Sequence, residues 1–154
     1  MEGNRRGNFI ERNDWKVWAF LSVFFLFFAV EEVRMGGSTF GGESADRFEA
    51  ITDTTWDELS ADDPGLAQLI DSIVRGAGAT AVAATIFSLS IAVFGLRRRQ
   101  RWAWATMWTL PLWFVATWIM TPAPGTFAIV LWTIVIVITV AMLALTYRMY
   151  AAQG

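Results

Sequence analysis

The sequence contains neither cysteine nor histidine. Without cysteine there is no disulfide, no thiolate nucleophile and no thiolate metal site. Without histidine the commonest general base, the commonest metal ligand and the usual haem ligand are missing as well. Chemistry would have to rest on carboxylates, hydroxyls, Tyr, Lys or Arg, so no cofactor and no metal are expected, and an enzyme is the less favoured reading. Charge is scarce too. Of 154 residues only 17% are charged and 55% are hydrophobic, where a soluble domain carries about 25% charged and about 45–50% apolar residues. Long apolar runs alternate with short charged segments, which argues for one membrane domain over residues 1–154 and against a separate soluble one. No soluble basic surface accompanies the arginines, so nucleic acid is not an expected partner; the lipid bilayer is.

The apolar runs predict an all-α fold, a bundle of four transmembrane helices. Trp15–Val33 has a Phe-rich body at Phe20, Phe24, Phe25, Phe27 and Phe28. It ends in Glu31-Glu32-Val33-Arg34 with no small-residue cleavage site, so it reads as a membrane helix and not as a removable signal. Its fully apolar part is short for a span, which puts the glutamates close under the outer surface. Residues 34–68 form an outer loop. There Gly36-Gly37 and Gly41-Gly42 predict a flexible turn, followed by short helices at Ser44–Ile51 and Thr55–Leu59. Thr55 and Glu58 have capping-box spacing, and Asp63-Pro64 reads as a cap followed by proline at the first helical position.

The next helix runs from about Pro64 to Leu96, with residues 69–96 as the second span. Counting back from Leu96 at ~1.5 Å per residue crosses a ~30 Å core near Arg75, so the part before Arg75 projects outward. Arg97–Arg101 is a tight basic turn, Trp102–Met120 the third span and Thr121–Gly125 a hairpin link. Thr126–Tyr147 is the fourth span, because β-branched residues over such a length predict a membrane helix. Orientation follows from basic residues. Arg5, Arg6, Arg12, Lys16, Arg97, Arg98, Arg99, Arg101 and Arg148 fall on one side, which the positive-inside rule makes cytoplasmic, with both termini there and the chain in the plasma membrane. Trp15, Trp18, Trp102 and Trp104 predict an inner aromatic belt and Trp118 an outer one.

Five features are candidates for function. Asp71 and Arg75 share a helical face, and Glu31 and Glu32 reach a similar depth, so Arg75 is expected to bridge Asp71 and at least one glutamate. Ionisable groups near hydrocarbon pair or line watery cavities, so this group reads either as an outward-facing polar pocket or as a clasp between helices one and two. Gly76, Thr80, Ala84 and Ser88 form a small-residue stripe suited to close helix packing or to a homodimer face. Pro111 lacks an N–H and crowds the carbonyl of Met107, which predicts a kink. Arg97, Arg98, Arg99 and Arg101 suit anionic headgroups at the inner leaflet or serve as a topology anchor. Trp56, flanked by Phe48 and Leu59, is an apolar anchor for the outer loop. The acids of that loop lack EF-hand spacing and read as helix caps.

Three stretches, FEAITDTTWDEL (48–59), DDPGLAQLI (62–70) and GLRRRQRWAWATMWTLP (95–111), resemble small four-helix prokaryotic membrane proteins with an outer FEALTG-TW-type segment and a GLRRGxRWAW-type turn. The resemblance covers roughly residues 45–111. Asp53 and Arg99 stand where those motifs carry glycine. It implies the four-helix membrane architecture and no activity. The function expected from the residues is that of a non-enzymatic membrane protein, a structural or accessory subunit or a binder of a lipid-like ligand. A membrane protein or a second copy is a further expected partner. The alternative is a small transporter or intramembrane enzyme using the Glu31, Glu32, Asp71 and Arg75 pocket.

Overall fold

The computed structural model of the chain describes residues 9–41, 45–120 and 126–151. The N-terminal tail with Arg5 and Arg6, Gly42 and the Thr121–Gly125 link lie outside them. Among the described residues the regular structure is helical throughout. Helix α1 spans Phe9–Met35, α2 Ala45–Thr52, α3 Trp56–Asp62, α4 Pro64–Ser90, α5 Arg101–Met107, α6 Thr109–Met120 and α7 Thr126–Ala151. A 3-10 segment, Gly36–Gly41, follows α1; a π turn, Ile91–Gly95, and a 3-10 turn, Leu96–Arg98, prolong α4. Two helical stretches, Pro64–Arg98 and Ile129–Ala151, are long and apolar enough to cross a membrane.

Local chemistry sets the helix starts. Thr55 accepts the Glu58 N–H at 3.2 Å while Glu58 accepts the Thr55 N–H at 2.9 Å, a complete capping box at α3. That bond and a second from the Thr55 hydroxyl hold the Glu58 carboxyl below its usual range. Asp63 accepts the Leu66 N–H at 3.0 Å ahead of Pro64, which opens α4.

Helices α1 and α4 pack antiparallel along most of their length. The covered positions of α4 and the π turn after it include a series stepping by four and three: Ala67, Asp71, Val74, Gly78, Ala81, Thr85 and Ser88 on α4 and Ala92 in the π turn. Trp18, Ser22, Phe25 and Ala29 do the same on α1. A seven-residue rhythm keeps one face toward the neighbour. At Gly78 a Cβ would lie 2.9 Å from the backbone nitrogen of Val33, so only glycine admits this approach. The stripe of Gly76, Thr80, Ala84 and Ser88 is not that face. A strict step of four turns an α-helix by ~400° and so drifts ~40° each time. Ser88 is buried, whereas Gly76, Thr80 and Ala84 are exposed, and nothing lies within 4 Å of a Cβ at Gly76.

The third apolar run is interrupted at Trp108, between α5 and α6. Pro111 offers no N–H to the carbonyl of Met107, and the ladder lapses in the turn before the proline. The Thr109 hydroxyl bonds the Thr106 carbonyl there at 2.8 Å. α1, α4 with its π and 3-10 extension, α5 and α7 converge on a core of Trp18, Ala92, Leu96, Ala103, Met107, Leu143 and Tyr150. Trp104 Nε1 donates to the Leu143 carbonyl at 3.1 Å and ties α5 to α7. Trp18 is thus a core residue, 2% exposed, and not part of an aromatic belt. Outward, the long helices present large apolar side chains: Phe20 and Phe27 on α1, Ile73 and Phe87 on α4, Leu112 and Ile119 on α6, Ile134 and Val137 on α7.

Candidate functional site

The polar group at the carboxyl end of α1 is a helix clasp. Met35 ends α1, and Gly36 turns the chain with a φ of +55°, a conformation that suits glycine. The last carbonyls of α1 have no partner within the helix. Arg75 supplies one: its Nη1 donates to the Val33 carbonyl at 2.7 Å and to the Arg34 carbonyl at 3.1 Å. Its Nε donates to Asp71 Oδ2 at 2.8 Å, and Asp71 Oδ1 accepts the Gly37 N–H at 2.8 Å. The pair one turn apart on α4 therefore caps the carboxyl end of α1, where a cation also meets the negative end of the helix dipole.

The expected bridge from Arg75 to a glutamate is not formed. Glu31 pairs within its own helix, 3.5 Å from Arg34. Glu32 lies with its Cβ beside Gly78 and its side chain exposed. The physical reason is competition: two unpaired backbone carbonyls at a helix end are fixed, close acceptors, and they take the guanidinium first. The clasp also orders Gly36–Gly41, expected as a flexible turn, as a 3-10 segment in which Ser38 and Thr39 bond back to Met35 and Gly36. Trp56 lies against Gly37, where a Cβ would overlap its indole, and meets the buried Phe48 edge-on at 5.7 Å between ring centres. Leu59 is half-buried on the same short helix α3.

At the opposite end is a polar contact that sequence reasoning missed. The Tyr150 hydroxyl donates to Asp14 Oδ2 at 2.7 Å and lies 3.2 Å from the Leu96 carbonyl. Tyr150 is 0% and Asp14 2% exposed, so three segments, the start of α1, the end of α4's extension and the end of α7, meet at one buried hydroxyl. Of the basic turn, Arg97 stacks over the Trp15 ring at 5.4 Å, while Arg98, Arg99 and Arg101 are exposed. Arg99 adopts φ +57°, the left-handed conformation that closes the turn.

Between these two ends lies a cavity of about 380 Å³. No extensive contact joins α4 to α6, and the cavity occupies that gap. Ala81, Ala84, Thr85, Phe87 and Ser88 line it from α4; Leu110, Trp113 and Phe114 from α6; Phe25 and Ser22 from α1; Val135 and Thr139 from α7. Phe87, 70% exposed, and Trp113, 49% exposed, stand at its rim. None of Glu31, Glu32, Asp71 or Arg75 lines it. Of the small-residue stripe, Ala84 and Ser88 belong to this lining. Ser22 and Ser88 bond each other across α1 and α4 at 2.8 Å. Among the described residues no group of His, Cys, Asp or Glu side chains could hold a metal ion.

No protein-family model matches the chain, and neither the curated proteins nor the solved structures include a match.

Proposed function

We propose that the protein crosses the plasma membrane four times, with both termini cytoplasmic, and binds the apolar body of a lipid-like ligand in the cavity between α4 and α6 without chemical catalysis. Four spans account for the outward apolar side chains of α1 and α6 as well as those of α4 and α7, since a water-soluble monomer rarely exposes apolar patches beyond a few hundred Å². α5 and α6 together run from Arg101 to Met120, and at ~1.5 Å per residue such a rod matches a ~30 Å core. Under this topology Arg97, Arg98, Arg99 and Arg101 lie at the inner leaflet, where anionic headgroups attract them.

The observation that carries ligand binding is the cavity itself. Its volume of about 380 Å³ falls within the range of small-molecule sites, ~300–1,000 Å³. Its lining is apolar with a few hydroxyls, and its rim at Phe87 and Trp113 opens sideways, toward lipid in the four-span arrangement. The clasp at Asp71 and Arg75 supports a structural role for the outer cluster, not a transport or catalytic one. The test is purification in native lipid, followed by mass spectrometry of bound amphiphiles, for the wild type and for Ala84→Trp, which places an indole in the mouth. An amphiphile retained by the wild type and lost from the variant is the expected result. Identical lipid profiles would contradict the proposal, and a stoichiometric protein partner with no amphiphile would favour an accessory subunit instead.

A further inference from the structure

The hydrogen-bonding state of the lining narrows the class of ligand, an inference that rests on the ligand-binding reading above. Six hydroxyl-bearing residues line the cavity: Ser22, Thr85, Ser88, Thr106, Thr109 and Thr139. Each has its proton committed within the protein. Ser22 donates to the Trp18 carbonyl at 2.9 Å, which leaves Ser88 as the donor in the Ser22–Ser88 bond. Thr85 donates to the carbonyls of Ala81 and Val82, Thr106 to that of Trp102, Thr109 to that of Thr106 and Thr139 to that of Ile136. Hydroxyls in apolar helices commonly bond back in this way. A hydroxyl has one proton and two lone pairs, so these groups meet a ligand as acceptors. The other polar groups on the lining are the indoles of Trp18 and Trp113, neutral donors.

Among the described residues no carboxylate, ammonium or guanidinium lines the cavity. Its depth matters as well. Ser22 follows Trp15 by seven residues and Ser88 precedes Arg97 by nine, which at ~1.5 Å per residue puts their hydroxyls roughly 10–14 Å into the hydrocarbon. An anionic headgroup there would be stripped of water with no cation to meet it. A hydroxyl would not, since it can donate to a serine or threonine oxygen and accept from an indole.

We propose that the cavity selects an uncharged amphiphile with a hydroxyl group on a long apolar body, and discriminates against the carboxylate or phosphate of the same body. The full chain in phosphatidylcholine nanodiscs can be photolabelled with a diazirine-bearing dodecanol and the adducts mapped by mass spectrometry. Competitors are dodecanol, dodecanoate above its pKa, dodecyl phosphate and dodecane. Labelling is expected on the segments 81–88 and 106–114, with dodecanol displacing the probe about 10-fold better than the others, the worth of one hydrogen bond. Ser88→Ala and Thr85→Val are each expected to reduce the preference for dodecanol over dodecane while labelling persists. Equal displacement by all four, or stronger displacement by an anion, would overturn the ligand class and leave cavity binding standing. Labelling elsewhere, or labelling of these segments that no competitor reduces and Ala84→Trp does not change, would overturn the ligand-binding reading itself.

Discussion

The two ends of the bundle hold helices together by different means. At the outer end, an exposed side-chain pair acts on backbone groups: Arg75 on the last carbonyls of α1, Asp71 on the Gly37 N–H. At the inner end the joint is covered. Trp18, Leu96, Met107, Leu143 and Tyr150 pack together, and the polar contact of Tyr150 with Asp14 and the Leu96 carbonyl is sealed from solvent. At the first end the pair serves carbonyls that helix geometry leaves without a partner; at the second the Leu96 carbonyl already accepts the Arg99 N–H at 2.8 Å, and the buried group that gains a donor is the Asp14 carboxylate. Where water or headgroups can reach, a flexible surface pair suffices and its loss is local. Where they cannot, the partner must be buried too, and its loss is felt by every helix that converges there.

The inner end should therefore be the more sensitive. Tyr150→Phe removes one donor from the buried Asp14 carboxylate, which keeps the Trp15 N–H at 2.8 Å, so unfolding in a denaturing detergent titration should become easier by about 1.5–3 kcal/mol, the range for a hydrogen bond to a charged group. Proteolytic resistance of residues 45–62 should not change, because nothing at the outer end depends on that hydroxyl. A parallel loss of protection there would merge the two ends into one cooperative unit and break the comparison.

Next in size is packing near the outer end. Gly78→Leu drives a side chain into Val33 and should cost about 1–3 kcal/mol in the same titration, as overpacking does. Gly76→Leu, where the space is open, should be tolerated. Equal effects would mean that the four-residue stripe, and not the seven-residue face, is the contact. Smaller still in global terms is Arg75→Ala. It should release the 36–62 segment to protease while the spans stay folded, and Glu31→Gln should leave that segment protected. Release by Glu31→Gln would show that the glutamate does take part in the clasp.

What was legible in the sequence was local. Thr55 with Glu58 and Asp63 with Pro64 mark helix starts within one turn, and Asp71 with Arg75 are paired by helical spacing alone. The target of Arg75 was not legible, because a bare carbonyl at the end of α1 has no letter of its own. Nor was the contact of Asp14 with Tyr150, 136 residues apart, since only the converging helices bring them together. Of the small-residue stripe only Ser88 is buried, because a step of four looks straight on paper and spirals on a helix. Among the described residues Asp53 at 54° and Arg99 at 57° are the non-glycine residues with positive φ, a backbone conformation that has no sequence signal of its own when glycine is not there to mark it.

In the four-span arrangement we propose, the two ends face opposite sides of a membrane, and cysteine labelling tests this most directly. The chain has no cysteine of its own, so single replacements give an unambiguous signal. In intact cells a membrane-impermeant maleimide should label Ser60→Cys, on α3, and should reach Arg98→Cys and Ala151→Cys only after permeabilisation. Labelling of Ser60→Cys and Arg98→Cys from the same side would contradict the account, as would labelling of Ala151→Cys in intact cells, because no bundle of four spans with a cytoplasmic inner end could produce either result.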